Sequence, residues 1–379
     1  MRLTVLALLV GVVVVACSDD PAEPEIPVAV APPSRHDALR DGLTDDARAF
    51  GFDHGDWTED LGDAPFYGLA SYVRRDLDAT RRDEALERAR TLMRGELLDG
   101  DLQDKVMAAL GLIEHIDATG DRSDLPLLDD FIDRLDSLTH TLGDYLEAGA
   151  DRSWAIRTYG PTAVTALVAL LEAQYVLFIG GERKDERLDR VKTIEAKITA
   201  RAFGDLAGAR AYAIAPGNAE LELYPNVSMA CLEARLFRIT KDETYRLQAR
   251  ALYAAIQPLK KSDAPARYAS PYAIELTGSK TGDVSTLSSQ NYLALSFLLL
   301  FEITGEQRFV DEADRVLDAI EKMRGPYCRQ DSSCTTGLLH HVVDGRLAQP
   351  GDGTVFCSGC NLQTLYVIGY RRHLAGEGF

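Results

Sequence analysis

Residues 302–320 read EITGEQRFVDEADRVLDAI, and residues 238–256 read RITKDETYRLQARALYAAI. Both stretches begin with a polar turn and continue as an amphipathic helix, with apolar residues at helical spacing. Similar turns follow helix-length apolar segments six times along the chain, at 78–83, 117–122, 178–183, 238–243, 302–307 and 373–378. Because internal repeats on this scale are typical of arrays or rings of one unit, the sequence predicts a series of helical hairpins.

The two helices of each hairpin differ in their apolar pattern. Residues 293–301 carry apolar side chains on every face, which indicates a helix that is buried all round. The helix that follows has a single apolar stripe at 3.6-residue spacing, formed by Phe309, Ala313, Val316, Leu317 and Ile320. The repeat therefore predicts inner helices in the centre of the fold and outer helices around them, each with one face in solvent.

The number of helices predicts how the array ends. Six inner helices are expected, at 67–77, 106–116, 163–178, 227–239, 292–303 and 362–374, but only five outer helices follow them. The amphipathic segment 36–50 is expected to supply the sixth outer helix by packing against the last inner helix. An open array would need polar caps at its ends, which the apolar segment 362–374 does not offer. Residues 36–379 are therefore predicted to form one all-α domain, a closed (α/α)6 toroid.

This architecture resembles the six-hairpin glycosidase superfamily over about residues 36–379. The resemblance rests on the hairpin repeat and the helix count, and no catalytic motif of that superfamily is matched. It implies a carbohydrate-active protein similar to glycoside hydrolases, acting as a hydrolase, lyase or epimerase on a glycan. A non-catalytic protein of the cell envelope that binds a glycan or a protein partner is the alternative, because one scaffold serves many functions. Whether the protein is an enzyme stays open at this point.

The connections between helices are short at one end of the predicted ring and long at the other. The long ones include 51–64, 148–161, 201–225, 258–289 and 325–360. Long loops on a rigid scaffold usually carry function. The site is therefore expected at the long loops, where the inner helices begin.

Acidic and imidazole side chains in these loops are candidates for catalysis. The first loop, GFDHGDWTEDLGDAPF, holds Asp53 and Asp56 beside Trp57, and glycosidic bonds are hydrolysed by carboxyl pairs. The alternative is that these carboxylates cap a helix or lie in solvent. His341 is the candidate acid or base of the last loop, since imidazole titrates near neutral pH. A β-hairpin is also predicted near 336–348, with its turn at Asp344-Gly345.

Aromatic, amide and arginine side chains in the same loops are candidates for binding a sugar. Arg157 lies near aromatic residues and suits a carboxylate-bearing ligand such as a uronic acid, although it could instead pair with a neighbouring acid. Asn226 is also a candidate helix cap, and Ser288 or Ser289 is expected to cap the helix that begins near Gln290. The full set of predicted binding residues is Trp57, Trp154, Arg157, Tyr159, Tyr224, Asn226, Gln290 and Asn291.

Four cysteines occur in the last long loop, at Cys328, Cys334, Cys357 and Cys360. Three interpretations remain open: two disulfides in an oxidising compartment, a zinc site with four thiolate ligands, or a redox dithiol in the CSGC sequence. Disulfides are preferred, because the N-terminus of the chain predicts export. No cofactor and no metal are predicted.

The first 35 residues are predicted to target and anchor the protein rather than to form part of the fold. Residues 3–16 form an apolar run, shorter than the about 20 residues that span a bilayer, and therefore typical of a signal peptide. The following Cys17 resembles the lipidated cysteine of bacterial lipoproteins. Cleavage is expected after residue 16, with acylated Cys17 as an anchor in the lipid bilayer and the proline-rich residues 17–35 as a tether. Ser18 favours the outer membrane of the cell envelope over the inner membrane.

The charge of the chain excludes one class of partner. The formal net charge is −18 at pH 7, and no stripe of Lys and Arg is present in the sequence. Because nucleic-acid binding depends on clustered positive charge, no nucleic-acid partner is expected. A glycan or small-molecule ligand is expected instead.

Overall fold

A computed structural model describes residues 29–50, 79–97, 102–146, 160–260, 268, 284–328, 334–339, 342–343, 346–347 and 358–378. The described outer helices are α1 (Asp37–Phe50), α2 (Ala79–Arg94), α4 (Leu125–Thr141), α6 (Lys184–Ala202), α8 (Glu243–Ile256) and α10 (Gln307–Glu321). The described inner helices are α3 (Leu102–Thr119), α5 (Gly160–Gln174, continued as a π-helix over Tyr175–Ile179), α7 (Leu223–Thr240), α9 (Leu287–Thr304) and α11 (Ser358–Leu374). The inner helix predicted at 67–77 lies outside the described residues.

The burial of the helices follows the apolar patterns of the sequence. Every residue of α9 from Leu287 to Phe301 is buried, whereas α10 buries the stripe that contains Phe309, Val316 and Ile320. Each described inner helix packs against the next one in the chain, and the outer helices surround them. The all-α (α/α)6 toroid predicted from the repeat is confirmed.

The predicted closure of the ring is also confirmed. Helix α1 packs against α11, and Arg372 of α11 forms an ion pair with Asp37 at the start of α1. Arg371, which is fully buried, donates to both carboxylate oxygens of Asp314 in α10, at 2.9 and 3.1 Å. His36 lies 3.5 Å from the same carboxylate. A buried ion pair thus joins the last outer helix, the last inner helix and the segment that leads into the first helix.

Short turns connect the inner helices α3, α5, α7 and α9 to the outer helices that follow them, at what we call the turn end of the ring. Lys241 and Gly305 end α7 and α9 in the left-handed conformation, with φ of 58° and 68°. The carboxylate of Asp242 then caps α8 by accepting from the Thr244 amide at 2.8 Å. The opposite end, where the inner helices begin after longer connections, is called the loop end.

A buried network of charged and hydroxyl groups links four inner helices toward the turn end. Arg235 of α7, 2% exposed, lies 3.4 Å from Glu302 of α9, and Tyr370 of α11 donates to Glu302 at 2.7 Å. Tyr366 of α11 donates to Glu114 of α3 at 3.0 Å. Because buried charges are costly unless they are paired, these contacts hold the four helices in one register.

Small β-sheets lie at the loop end. Strand β1 (Phe203–Leu206) pairs with β2 (Ala209–Tyr212), and β3 (Val284–Ser285) pairs with β6 (Val342–Val343), which also pairs with β7 (Arg346–Leu347). Strand β4 (Arg324–Cys328) pairs with β5 (Cys334–Leu339). Strands β6 and β7 form an antiparallel pair within the predicted hairpin, and its predicted turn, Asp344-Gly345, lies outside the described residues. The first strand of the predicted hairpin is β6 alone and is shorter than expected. Residues 336–339, which were expected to belong to it, lie in β5 and pair with β4.

One helix in the described part of the chain, Gly160–Ile179, is long and apolar enough to cross a membrane. In the structure, 89% of its most apolar window is buried within the protein. Its composition therefore matches that of an inner helix of the ring, in keeping with its position between α3 and α7.

Candidate functional site

A layer of buried polar side chains marks the loop end of the ring. At the start of each described inner helix, polar residues replace the apolar ones found further along. The buried polar residues of this layer are Gln103, Lys105, Thr162, Thr165, Asn226, Ser228, Ser288, Ser289, Gln290, Asn291, Asn361, Gln363 and Thr364. Because a buried polar group is costly unless it is hydrogen-bonded, the layer is built around specific contacts.

The contacts of this layer bring the starts of several inner helices together. The Tyr224 hydroxyl at the start of α7 bonds to the Thr286 hydroxyl before α9, at 2.9 Å. Tyr292 of α9 lies 3.1 Å from the sulfur of Met107 in α3. At the start of α5, the Thr162 amide donates to the Ile214 carbonyl in the connection that precedes α7, at 3.1 Å. These contacts therefore link α3, α5, α7 and α9 at the loop end.

Asn226, a predicted sugar-binding residue, is 1% exposed and holds a loop in place. Its side-chain oxygen accepts from the Tyr212 amide at 2.8 Å, and its amide donates to the Tyr212 carbonyl at 3.0 Å. The same amide donates to the Glu222 carbonyl at 2.7 Å. Asn226 therefore joins β2 to the start of α7. It does not cap this helix as expected, because the cap position belongs to Glu222.

Gln290 and Asn291, also predicted to bind a sugar, are both fully buried. Gln290 accepts from the Tyr268 amide at 3.2 Å and donates to the Tyr268 carbonyl at 2.9 Å. Asn291 donates to the Cys360 carbonyl at 2.8 Å and accepts from the Thr364 hydroxyl at 2.9 Å. These amides tie α9 to a loop residue and to α11. A ligand would contact them only if these bonds opened.

The cap of α9 differs from the one expected from the sequence. Thr286, rather than Ser288 or Ser289, occupies the cap position, and its hydroxyl accepts from the Ser289 amide at 3.2 Å. Its hydroxyl also meets Tyr224, which is 4% exposed. Tyr224 is thus buried at the loop end, and its role in sugar binding remains a prediction.

Glu222 is a titratable residue at the loop end that the sequence analysis did not identify as a candidate for catalysis. It precedes α7, is half-buried, and makes no side-chain capping bond to the helix. Burial, reinforced by the neighbouring charge of Glu220, raises the pKa of Glu222 to about 7. A carboxyl group that is partly protonated at neutral pH can donate a proton to a reacting oxygen and later take it back. The only signal in the sequence is the pair of acids in ELELYPN, just before an inner helix.

The remaining predicted catalytic and binding residues lie outside the described residues, as does the lipidation site. They are Asp53, Asp56, Trp57, Trp154, Arg157, Tyr159, His341 and Cys17. Their roles remain predictions.

The cysteines of the last loop lie near the same end. Cys328 and Cys334 are partners in the register of β4 and β5. Cys360, 3% exposed, lies in α11, and Cys357 lies outside the described residues, so the two disulfides remain a prediction. Among the described residues, no group of three or more His, Cys, Asp or Glu is placed to hold a metal ion.

Comparison with protein-family models gives no match, and comparison with curated proteins gives none either. Solved structures do match. An unsaturated glucuronyl hydrolase specific for heparin superposes with a TM-score of 0.62 at 12% identity, covering 90% of this chain and 98% of that one. A D-mannose isomerase gives a TM-score of 0.60 at 10% identity, with 90% and 98% coverage. A GH76 α-mannanase of Bacteroides thetaiotaomicron gives 0.52 at 13% identity, with 84% and 86% coverage.

At these identities the similarity establishes the shared fold alone. Each of these structures is a carbohydrate-active enzyme by its description, and their reactions differ. The chain therefore shares the (α/α)6 toroid fold of these structures.

Proposed function

We propose that the protein is an exported, lipid-anchored enzyme that acts on a glycan, with its site at the loop end of the ring. The observation that carries the enzymatic part is Glu222, a half-buried carboxyl group with a pKa raised to about 7, at the start of an inner helix. The likeness to a hydrolase, an isomerase and a mannanase supports the choice of a carbohydrate substrate.

In this proposal Glu222 acts as a general acid. Its protonated carboxyl donates to the oxygen that leaves carbon, and the resulting carboxylate can then accept a proton from water. Hydrolysis of a glycosidic bond also needs a second carboxyl group, for which Asp53 and Asp56 of the first long loop are the candidates. His341 is the alternative partner. Arg157 would favour a glycan that carries carboxylates, by a bidentate contact.

The enzymatic part is tested by assaying the mature protein against neutral and uronic-acid-containing oligosaccharides, with products resolved by mass spectrometry. Glu222→Gln is expected to lower kcat by about 10²–10⁴-fold, the usual contribution of a general acid. Glu220→Gln is the matched control, because Glu220 is exposed and lies two residues before Glu222. Glu220→Gln should reach the same maximal kcat as the wild type, at a lower pH, because the charge of Glu220 helps to raise the pKa of Glu222.

The pH profile distinguishes the two carboxyl groups further. Activity that needs protonated Glu222 should fall as the pH rises through its pKa of about 7. Because the charge of Glu220 helps to raise that pKa, Glu220→Gln should move this fall to lower pH. Turnover in Glu222→Gln equal to that of the wild type would exclude the assigned role. Glycan binding without any turnover by the wild type would support the non-catalytic alternative.

The lipid anchor is a separate part of the proposal. It is supported by the apolar run at 3–16 that ends at Cys17 and by the proline-rich stretch that follows. Metabolic labelling with a fatty acid should tag the wild type and miss Cys17→Ala. Equal labelling of the two would remove the anchor from the proposal, and membrane fractionation would then test the assignment to the outer membrane.

A further inference from the structure

The segment before α1, residues 29–36, follows a defined path over the turn end of the ring. Ala29 packs against the core, where a Cβ built on Gly305 would lie 3.4 Å from its methyl group. Two residues later, the Ala31 amide donates to the Leu374 carbonyl at the end of α11, at 2.8 Å. Gly305 ends α9 and Leu374 ends α11. Both contacts therefore fix this segment at the turn end.

Further contacts hold the rest of the segment. The carbonyl of Pro32 accepts from the buried Arg371 at 2.8 Å, and the Ser34 amide donates to the Glu377 carboxylate at 3.2 Å. Arg35 forms an ion pair with Asp318 of α10. Residues 29–36 are thus attached to α10, α11 and the turn after α9, and the chain that precedes Ala29 must depart from the turn end.

The length of the tether limits how the ring can stand on a membrane. The twelve residues 17–28 extend to at most about 40 Å. Inner helices such as α7 and α9, with 18 residues each, are about 27 Å long. A tether that starts at the turn end would use most of its length to pass the ring before the loop end could face a bilayer. Facing the turn end to the bilayer requires no such extension.

We propose that the anchored protein stands with its turn end toward the lipid bilayer and its loop end pointing away from it. This inference rests on the lipid anchor proposed above, not on the catalytic role of Glu222. The net charge of −18 repels an anionic lipid surface, so the ring is held by the tether rather than by direct adsorption. The loop end is thereby open to a large glycan that cannot enter the space beside the membrane.

Two exposed positions at opposite ends of the ring test the orientation. Glu182 lies in the short turn before α6, and Ala219 lies in the connection before α7 at the loop end. Glu182→Cys and Ala219→Cys are each made in the full chain, labelled with a donor dye without reductant, and reconstituted in vesicles that contain an acceptor on the lipid headgroups. Labelled wild type measures the background from native cysteines.

Energy transfer should be larger from position 182 than from position 219, because α6, with its 19 residues, separates the two ends by about 28 Å. The same variants carrying Cys17→Ala should both fall to background transfer. Equal transfer from both positions, or more from 219, would overturn the orientation when intact-mass measurement shows that Cys17 is acylated. An unacylated Cys17 would overturn it through the loss of the anchor, while glycan turnover in solution would be unaffected by either result.

Discussion

Replacing Asp314 with alanine removes the partner of a fully buried arginine at the point where the ring closes. The Asp314 carboxylate accepts from Arg371 Nε at 2.9 Å and Nη2 at 3.1 Å, and His36 lies 3.5 Å away. In Asp314→Ala, Arg371 keeps its bond to the Pro32 carbonyl but loses the opposite charge. The guanidinium is 0% exposed, so water cannot replace that partner without opening the closure.

The magnitude follows from the burial of the arginine. Breaking a buried ion pair by removing one partner costs about 3–5 kcal/mol, because the other charge stays buried and uncompensated. The nearby pair of Arg35 and Asp318 provides the control, with side chains 57% and 43% exposed. Exposed pairs contribute about 0–1 kcal/mol. Asp318→Ala should therefore lower the free energy of unfolding much less than Asp314→Ala does, by at most about 1 kcal/mol.

Urea unfolding monitored by circular dichroism measures both variants. The expected result is a large fall in the midpoint for Asp314→Ala with an unchanged m-value, and a small fall for Asp318→Ala. The double variant Arg371→Met with Asp314→Leu should recover much of the loss, because an apolar pair of similar volume needs no compensating charge. A loss in Asp314→Ala no larger than in Asp318→Ala would refute the view that this ion pair closes the ring.

The pH dependence gives an independent check of the same contact. Burial by itself would raise the pKa of Asp314, but hydrogen bonds from His36 and Arg371 outweigh it and hold the pKa below its usual 3.8. The stabilisation is therefore complete above pH 3.8 and is lost as the pH falls through the lower pKa of the folded state. Acid unfolding of Asp314→Ala should lack this contribution.

Three further outcomes are expected. Burial raises the pKa of Glu233 well above 4.5, so the stability of the wild type should fall as the pH rises above 4.5. Thermal unfolding of Glu233→Gln should show a smaller fall of Tm with pH and a higher Tm than the wild type at pH 8. Equal dependence of Tm on pH in the two proteins would contradict this. Asn291→Ala should cost about 1–3 kcal/mol in urea unfolding by leaving buried partners unpaired, and a cost within about 0.5 kcal/mol, as at a surface site, would contradict it. If the four loop cysteines form two disulfides, the unfolded, unreduced protein with acylated Cys17 should expose one thiol, that of Cys231. Reduction should then lower the free energy of unfolding by about 2–5 kcal/mol. One zinc ion bound per chain would overturn the disulfide prediction.

The sequence alone determined the ring, because burial leaves a periodic trace in an amphipathic helix. The stripe of Phe309, Val316 and Ile320 distinguished an outer helix from the uniformly apolar α9, and both assignments are confirmed. The count of outer helices also predicted that residues 36–50 return to the last inner helix. The strands β1 and β2 were not predicted, since four residues each are too few to show a period above the background.

Local pattern was a poorer guide to what individual polar side chains do. Asn226, Gln290 and Asn291 were singled out as donors to a sugar, and in the structure all three are engaged by the protein's own backbone and side chains. An amide at the start of a helix carries the same donors and acceptors whether it meets a ligand or a carbonyl. Only the position of Tyr212, Tyr268 and the start of α11 decides between the two.

Glu222 shows the converse. In the sequence it is one of 59 acidic residues. Its position two residues after Glu220 does not reveal that its carboxyl group is partly buried. Its raised pKa arises because the folded chain removes water from around the carboxyl group, and water exclusion is a property of every element packed nearby. The sequence determined which helices lie inside the ring and which end holds the long loops. The tertiary structure decided which side chains at that end are committed to packing and which carboxyl group is shielded from water, because burial depends on elements that are distant in the chain.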